Sequence, residues 1–434
     1  MNPSKSGLVG VLLFILFTGC QPQNSTYQEL AIPELSNGIT GEPNLTQNPD
    51  GSRLYLSWVE ETSDTTAQLW YATLDQNGLR QGRWSRPTLL HQGTHWFVNW
   101  ADFPSLIVDQ QGVRMMHWLQ KIPGGAYAYH VNVKRRLSDN SWTKPITPHK
   151  DGTPTEHGFV SLSQLPTENS LTIWLDGRAM ADEDPPHAMT LRSTEITPTG
   201  AIQHSRLIDN WVCDCCQTDA TSLDGTVLTA YRNRTPNEIR DIALAAYHPQ
   251  THQWDTLGVI WPDHWKIGGC PVNGPALASN QSTAGLAWFT QARDTAKVQL
   301  GVLNTQLKPA SEFSEPIRID KGNPLGRVDV VTTHDGYLVT WVEQLTEQTA
   351  QMMGRFVSVQ GNAEPAVALA AIDPSRRSGF PRVAILGSDL VISLTKVHDD
   401  RSSTKIESLS IPLTELINPK TVTEKTLANT TPSH

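Results

Sequence analysis

Four of the five cysteines in this chain fall in two short segments. Cys213, Cys215 and Cys216 share one hexapeptide, VCDCCQ, and Cys270 lies in GGCPVNGP. Three chemistries are open to such a set. In an oxidising compartment the thiols form disulfides. A bond between adjacent Cys215 and Cys216 is strained, so Cys270 is expected to pair with one member of the triplet. Thiolates also bind copper or zinc, with His157 or His264 as added ligands. The paired CxxC knuckles of a zinc ribbon are absent. A thiol beside arginine is a redox or nucleophilic group, because a nearby cation favours the thiolate.

A second set consists of carboxylates and cations. Asp102, Glu156 and Asp176 have the side chains of general acids and bases. Lys121, His157, Arg178, Arg232, Arg240, Asn273 and Arg327 have the donors that would hold an anionic or hydroxyl-rich ligand. Arg234, Asp241, Arg293 and Asp329 lie in equivalent stretches. Any one of these arginines, taken alone, reads as a solvated loop charge or a tie to a carbonyl. Their common placement on the scaffold sets the group apart.

That placement follows from a repeat. A small or Pro-containing start, an apolar strand, a Gly/Asp/Asn turn and a strand ending near an aromatic recur seven times. They end at Trp58, Trp118, Trp174, Tyr231, Trp288, Trp341 and Leu394. A period of about 55 residues holding about four short strands is the pattern of β-propeller blades. The expected fold is all-β: a single propeller of seven four-stranded antiparallel blades, with six blades as the alternative. The last unit shows only three strands before Leu413, and the stretch near Tyr27 to Ile32 is able to supply the fourth. Within each blade, strands are labelled A to D outward from the axis. The D-to-A and B-to-C connections then share one end of the ring, and every residue of the two sets falls on that end. The opposite end carries short Gly/Asp turns.

The N-terminus reads as an export segment. Lys5 precedes an uncharged apolar run from Gly7 to Thr18, too short to span a bilayer at roughly 20 residues. Leu16-Phe17-Thr18-Gly19-Cys20 resembles the bacterial lipobox, with Phe17 in place of the usual Leu. The resemblance implies cleavage before a lipidated Cys20 and membrane attachment through that lipid. Gln21 in place of Asp points to the outer membrane, facing the periplasm. The domain boundaries expected are 1–19 signal peptide, 20–40 tether and closing strand, 41–413 propeller and 414–434 polar tail. A net charge of −9 argues against nucleic acid as a partner.

The repeats resemble the sialidase-like propeller superfamily, whose BNR repeats carry Asp-box turns of the form S-x-D-x-G-x-T-W. LSDNSW, from Leu137 to Trp142, is the nearest match. The segments TEHGFVSL, WLDGRAMADE, VCDCCQTD, YRNRTPNEIRDIA, DHWKIGGCPVNGP and GRVDVV resemble a group of exported bacterial BNR-repeat proteins. A sialidase clamps the sugar carboxylate with three arginines and uses a Tyr nucleophile assisted by Glu, with an Asp acid/base. On that pattern Arg178, Arg240 and Arg327, on separate blades, would be the clamp. Tyr127, Tyr129 and Tyr231 are the tyrosines on the right loops. The Arg-Ile-Pro motif of sialidases is missing: Glu42-Pro43-Asn44 stands nearest and has no arginine. The function expected is an envelope lipoprotein that binds, and by resemblance hydrolyses, an anionic or glycan-type ligand. A metal protein using the four cysteines and a scaffold for protein partners are the alternatives.

Overall fold

A computed structural model of the chain describes residues 27–36, 38–182, 187–280, 282–304, 315–398 and 403–417. Cys20 and the export segment lie outside the described residues. The strands form seven separate antiparallel sheets, six with four strands and one with three. The first blade is Ile39–Gln47, Arg53–Ser63, Thr66–Asp75 and Thr88–Thr94. The second has Leu106–Asp109, Gly112–Lys121 and Tyr129–Arg135, with Ile146 bridged to Val133 where an outer strand would run. The third is His157–Gln164, Ser170–Asp176, Met189–Ile196 and Ile202–Val212. The fourth is Asp219–Leu223, Thr226–Arg232, Ile242–His248 and Gln253–Val259. Blades five, six and seven begin at Ala276–Ser279, Pro324–Thr332 and Arg382–Leu386.

Position within a blade decides sequence pattern. The second strand of blade three, SLTIWLD, is covered by neighbouring blades on both faces, and every residue is buried. Its outer strand, IQHSRLIDNWV, is covered on one face and alternates between half-buried and exposed along much of its length. The repeated aromatics are core residues: Trp58, Trp118, Trp174, Tyr231, Trp288 and Trp341 are all buried between blades. Three of the ring N–H groups are satisfied by an acid. Trp174 Nε1 donates to Asp176 Oδ2 at 2.8 Å, Trp341 to Glu343 Oε2 at 2.7 Å and Trp288 to Asp263 Oδ2 at 2.8 Å. In blades three and six the acid stands two residues after the Trp, and in blade five it comes from the preceding connection.

A second recurrent device is a bulge near the start of the inner strand. Phe159 and Arg327 take left-handed φ values of 53° and 53°, each just after a glycine, and the pairing register shifts there. A bulge turns one side chain out of the pleat, here toward the axis end. Gly158 is required for a separate reason: a Cβ there would collide with Asp102 Oδ2 and Tyr129.

Two ends of the chain close the ring. Gln28–Glu29 pairs antiparallel with the third strand of blade seven, Thr404–Pro412. Leu30, which follows, is 2% exposed and packs with Trp84, Leu79 and Ile406. Packing runs four residues beyond the expected start of the polar tail: Thr414–Ile417 is a short helix with Leu416 buried. Leu30 holds an edge that no interior blade has. Leu30→Ala is expected to destabilise the chain by about 3 kcal/mol, measured by urea unfolding, as a buried Leu truncated to Ala does elsewhere.

Candidate functional site

The VCDCCQ and GGCPVNGP segments are the connections that enter blades four and five. They are joined by a disulfide between Cys215 and Cys270, with Cα atoms 6.0 Å apart. Gln217 continues the junction: its Nε2 donates to Ala101 O at 2.7 Å, and its Oε1 accepts from Gly274 N at 2.9 Å. Cys213 and Cys216 are buried thiols. The sulfurs of Cys213, Cys215 and Cys216 all lie within 4.8 Å of one another. Burial would raise the Cys213 thiol. A hydrogen bond from Cys216, the Cys215 N–H and the Arg240 and Arg232 guanidiniums outweigh it and bring Cys213 down to about 7. Burial and the neighbouring Cys213 drive Cys216 the other way, well above the ordinary thiol range. The two thiols are thus driven apart in acidity, Cys213 downward and Cys216 upward. Arg240 Nη1 lies 3.4 Å from Cys213 Sγ and is itself held by Glu238. Arg234 bridges Asp214 and Glu238 beside it.

The expected open basin of guanidiniums is not what forms. Arg232 is buried and donates to the carbonyls of Asn273, Arg240 and Phe289. Arg327 donates to Ser378 Oγ at 2.6 Å and to the carbonyls of Pro374 and Ser375. Arg178 forms a two-point pair with Asp176, its Nε at 2.7 Å from Oδ1 and its Nη2 at 2.7 Å from Oδ2. Asn273 ties blades together, accepting from Arg327 N and donating to Leu325 O. Over the axis, Trp100 stacks on Phe380 at 5.6 Å and Phe103 joins them. Arg327 and Arg376 lie against the Trp100 ring. The reason is desolvation: guanidiniums packed under an aromatic plug need fixed acceptors, and loop carbonyls supply them. A three-arginine clamp open to a ligand is therefore not assembled. Lys121 is exposed at the end of its strand, apart from these ties.

The three carboxylates separate by environment. Asp176 is fully buried, occupied by Trp174 and Arg178, and held below its ordinary value despite burial. It serves Trp174 as Glu343 serves Trp341, which is a structural task. Asp102 is buried and accepts the Phe159 N–H at 2.8 Å; burial raises its carboxyl to about 8. Glu156 is half-buried, and its Oε1 accepts the Tyr129 hydroxyl at 2.6 Å. Burial raises Glu156 to about 7, with Asp214 and Cys213 adding to the effect. Of the three loop tyrosines, Tyr129 alone meets this pair. Tyr231 is buried and donates to Asp209, and Tyr127 is 65% exposed. The Glu156 connector is clamped on both sides, since Tyr129 N donates to Thr155 O and Gly177 N to Glu156 O.

Sequence reasoning missed His130, His149 and Asp151. They surround His157, beside Glu156, and come from different elements with no motif between them. The one available signal was the density of histidine between Tyr129 and Gly158.

No family model matches the chain, and no curated protein matches it. Among solved structures, an α-L-arabinanase of Penicillium chrysogenum complexed with arabinobiose is similar at 12% identity. That match covers 92% of this chain and 100% of the other, with a TM-score of 0.47. A neuraminidase-like protein from A/bat/Guatemala/164/2009 is similar at 8% identity, over 90% of this chain and 95% of that one, with a TM-score of 0.45. A protein of unknown function from Dyadobacter fermentans gives 9%, 89%, 98% and 0.43 in the same terms. The likeness is one of propeller fold at low sequence identity.

Two measurements follow from this geometry. A form with Cys20 replaced by Ser should show two free thiols on denaturation without reductant and none reacting rapidly when native, by thiol-reagent titration. Four thiols, or none, would contradict the single Cys215–Cys270 bond. The second concerns Asp102. The native chain keeps its proton up to about pH 8, whereas an unfolded Asp releases it near 4. Between these values the native state binds more protons, so this contribution is complete below pH 4 and is lost as pH rises to 8. Stability should fall by a few kcal/mol over that window, each tenfold in proton affinity being worth about 1.4 kcal/mol. Asp102→Asn should flatten the profile in thermal unfolding followed from pH 5 to 9.

Proposed function

We propose that this propeller is a cell-envelope protein that binds a glycan at its connection end, with Glu156 as the group that acts on the bound sugar. One observation carries the reading: the Tyr129 hydroxyl is 2.6 Å from Glu156 Oε1, with Asp102 across Gly158 from both. Tyrosine, glutamate and aspartate are the side chains that sialidase-type hydrolysis combines. Tyr129 is buried, so it positions the Glu156 carboxyl, and the partly open Glu156 is the group that meets a ligand. An aromatic ladder leads outward from this point. Tyr129 stacks on Phe97 at 4.0 Å, and Phe97 meets the exposed Tyr127 at 6.3 Å. Exposed aromatic faces beside a carboxyl suit the apolar face and hydroxyl edge of a sugar. Because Arg178, Arg232, Arg240 and Arg327 are committed to protein acceptors, the reading favours hydroxyl-rich glycans over an arginine-clamped acid. Membrane attachment through a lipid on Cys20 belongs to the same proposal, supported by the lipobox-like Leu16–Cys20.

The test pairs a glycan array with a panel of fluorogenic glycosides that includes sialosides. Tyr127→Ala should weaken binding about tenfold, the loss of roughly 1.4 kcal/mol of stacking. Glu156→Gln should keep binding and remove turnover. Silence of the wild type on both the array and the substrate panel removes the reading.

A second reading rests on the three sulfurs within 4.8 Å. Reduction of Cys215–Cys270 would bring four thiols to one place and suit copper(I) or zinc. Metal content after purification under reductant, compared with the Cys213→Ser variant, decides it.

A further inference from the structure

Three histidines come together between blades two and three. His130 lies on the third strand of blade two, His149 on the connection that follows, and His157 at the start of blade three. The His149 and His157 rings are parallel at 3.8 Å, and His130 stands edge-on to both. His149 and His157 are buried. One nitrogen of each ring has a fixed partner. His157 Nδ1 is 3.1 Å from Thr155 O, and His149 Nδ1 is 2.9 Å from Asp151 Oδ1. His130 bonds to the backbone of Thr153. The remaining nitrogens, Nε2 of His130, His149 and His157, are buried and have no hydrogen-bond partner.

Two imidazole nitrogens with no partner, and a third that meets carboxylates without forming a hydrogen bond, are costly as packing alone, because each is a buried polar atom left without a hydrogen bond. They are what a metal ion requires. Metal-binding histidines hold one nitrogen to a carbonyl or carboxylate, and that contact aims the other at the ion. The ligand atoms of the trio lie within 4.8 Å of one another. Tetrahedral zinc with bonds of 2.0–2.1 Å wants them roughly 3.3 Å apart, so the parallel His149 and His157 rings must tilt toward each other for their in-plane lone pairs to meet on one ion. We propose that His130, His149 and His157 bind one divalent transition-metal ion, zinc by ligand type, through their Nε2 atoms.

The surroundings fit this assignment. Asp151 Oδ2 lies 3.2 Å from His157 Nε2, and Asp176 Oδ2 lies 3.7 Å from it. Asp151 also accepts from Thr153, so it serves the site mainly by orienting His149. Asp176 stays with Arg178. Three protein ligands leave a fourth position for water or an exchangeable anion. A cavity of about 380 Å³ reaches His149 and is lined by Lys150, Arg178, Arg192 and Arg206. It supplies an entry path, and its cations favour an anion on the ion. The ion would also pin the connector that carries Glu156. The assignment does not rest on the glycan reading, since its donors are separate side chains.

The test uses the chain with Cys213 and Cys216 changed to Ser, which removes the thiolate site. After chelator treatment and dialysis, zinc or cobalt(II) is added and bound metal is counted by elemental analysis. One ion per chain is expected, with a cobalt spectrum lacking a thiolate charge-transfer band and a zinc-dependent rise in melting temperature. His149→Ala should lose all three. His130→Gln, at a less buried ring, guards against a folding defect: it should lose the metal with its circular dichroism unchanged. Asp151→Asn should weaken zinc about tenfold, as loss of an outer partner does. No bound metal in the parent chain, or binding that survives both histidine variants, overturns the proposal. Metal that appears only when Cys213 and Cys216 are restored assigns it to the sulfurs and overturns it equally.

Discussion

A guanidinium or carboxylate taken out of water must be given partners, and the connection end of this ring is arranged around that requirement. The requirement runs both ways. Loops that leave the β-ladders expose carbonyls with no strand to accept from, and these too need donors when buried. Arg232 answers two such carbonyls, of Asn273 and Arg240, together with that of Phe289 near a strand end, and Arg327 answers two more plus a hydroxyl. Arg355 does the same for Ile319 and Glu364. A planar five-donor fork is suited to irregular backbone as no lysine is. The arginines therefore join neighbouring blades where hydrogen-bonded sheet cannot.

This accounts for what could and could not be read in the sequence. The blade period was legible because each unit repeats a local pattern: an inner strand, a tight turn and a buried aromatic. The closing stretch near Tyr27 to Ile32 could be anticipated because blade seven visibly lacked one strand. Cys270 could be matched to the triplet because the period sets both segments at equivalent points of adjacent blades, and adjacent Cys215 and Cys216 resist bonding. The fate of the arginines was hidden. Their acceptors are backbone carbonyls, which have no letter in the sequence, so a tied guanidinium and a free one look alike. The plug of Trp100, Phe103 and Phe380 was hidden for another reason: its members arrive from connections far apart in the chain. The tie of Asp176 to Trp174 was hidden because a carboxylate two residues after a Trp reads the same whether it is bonded to the indole, as Asp176 and Glu343 are, or free.

The cysteine and histidine groups differ in how they meet the same constraint. The two free thiols sit in a place where each sulfur has an answer. Cys213 is turned toward Arg240, Cys216 hydrogen-bonds to Cys213, and Arg234, Asp214 and Glu238 complete the charge balance. The disulfide beside them closes the connections entering blades four and five into one unit. Each of the described sulfurs in that arrangement thus has a partner within the chain.

The histidine group has no such closure. Its Nδ1 contacts are as ordered as those of the thiols, yet Nε2 of His130 and His149 has no partner and Nε2 of His157 meets only the Asp151 and Asp176 carboxylates, without a hydrogen bond. Stacking gives the rings contact area and does nothing for their lone pairs. Two buried carboxylates stand beside them, while Arg178 is drawn to Asp176 and only its second nitrogen leans toward Asp151. A buried polar group left unsatisfied calls for an explanation, and where three cluster around one point an ion held there is the explanation that serves all of them. By that criterion the cysteine end is a finished structural junction, and the ring's unfinished chemistry lies one blade away, on the connector that also carries Glu156.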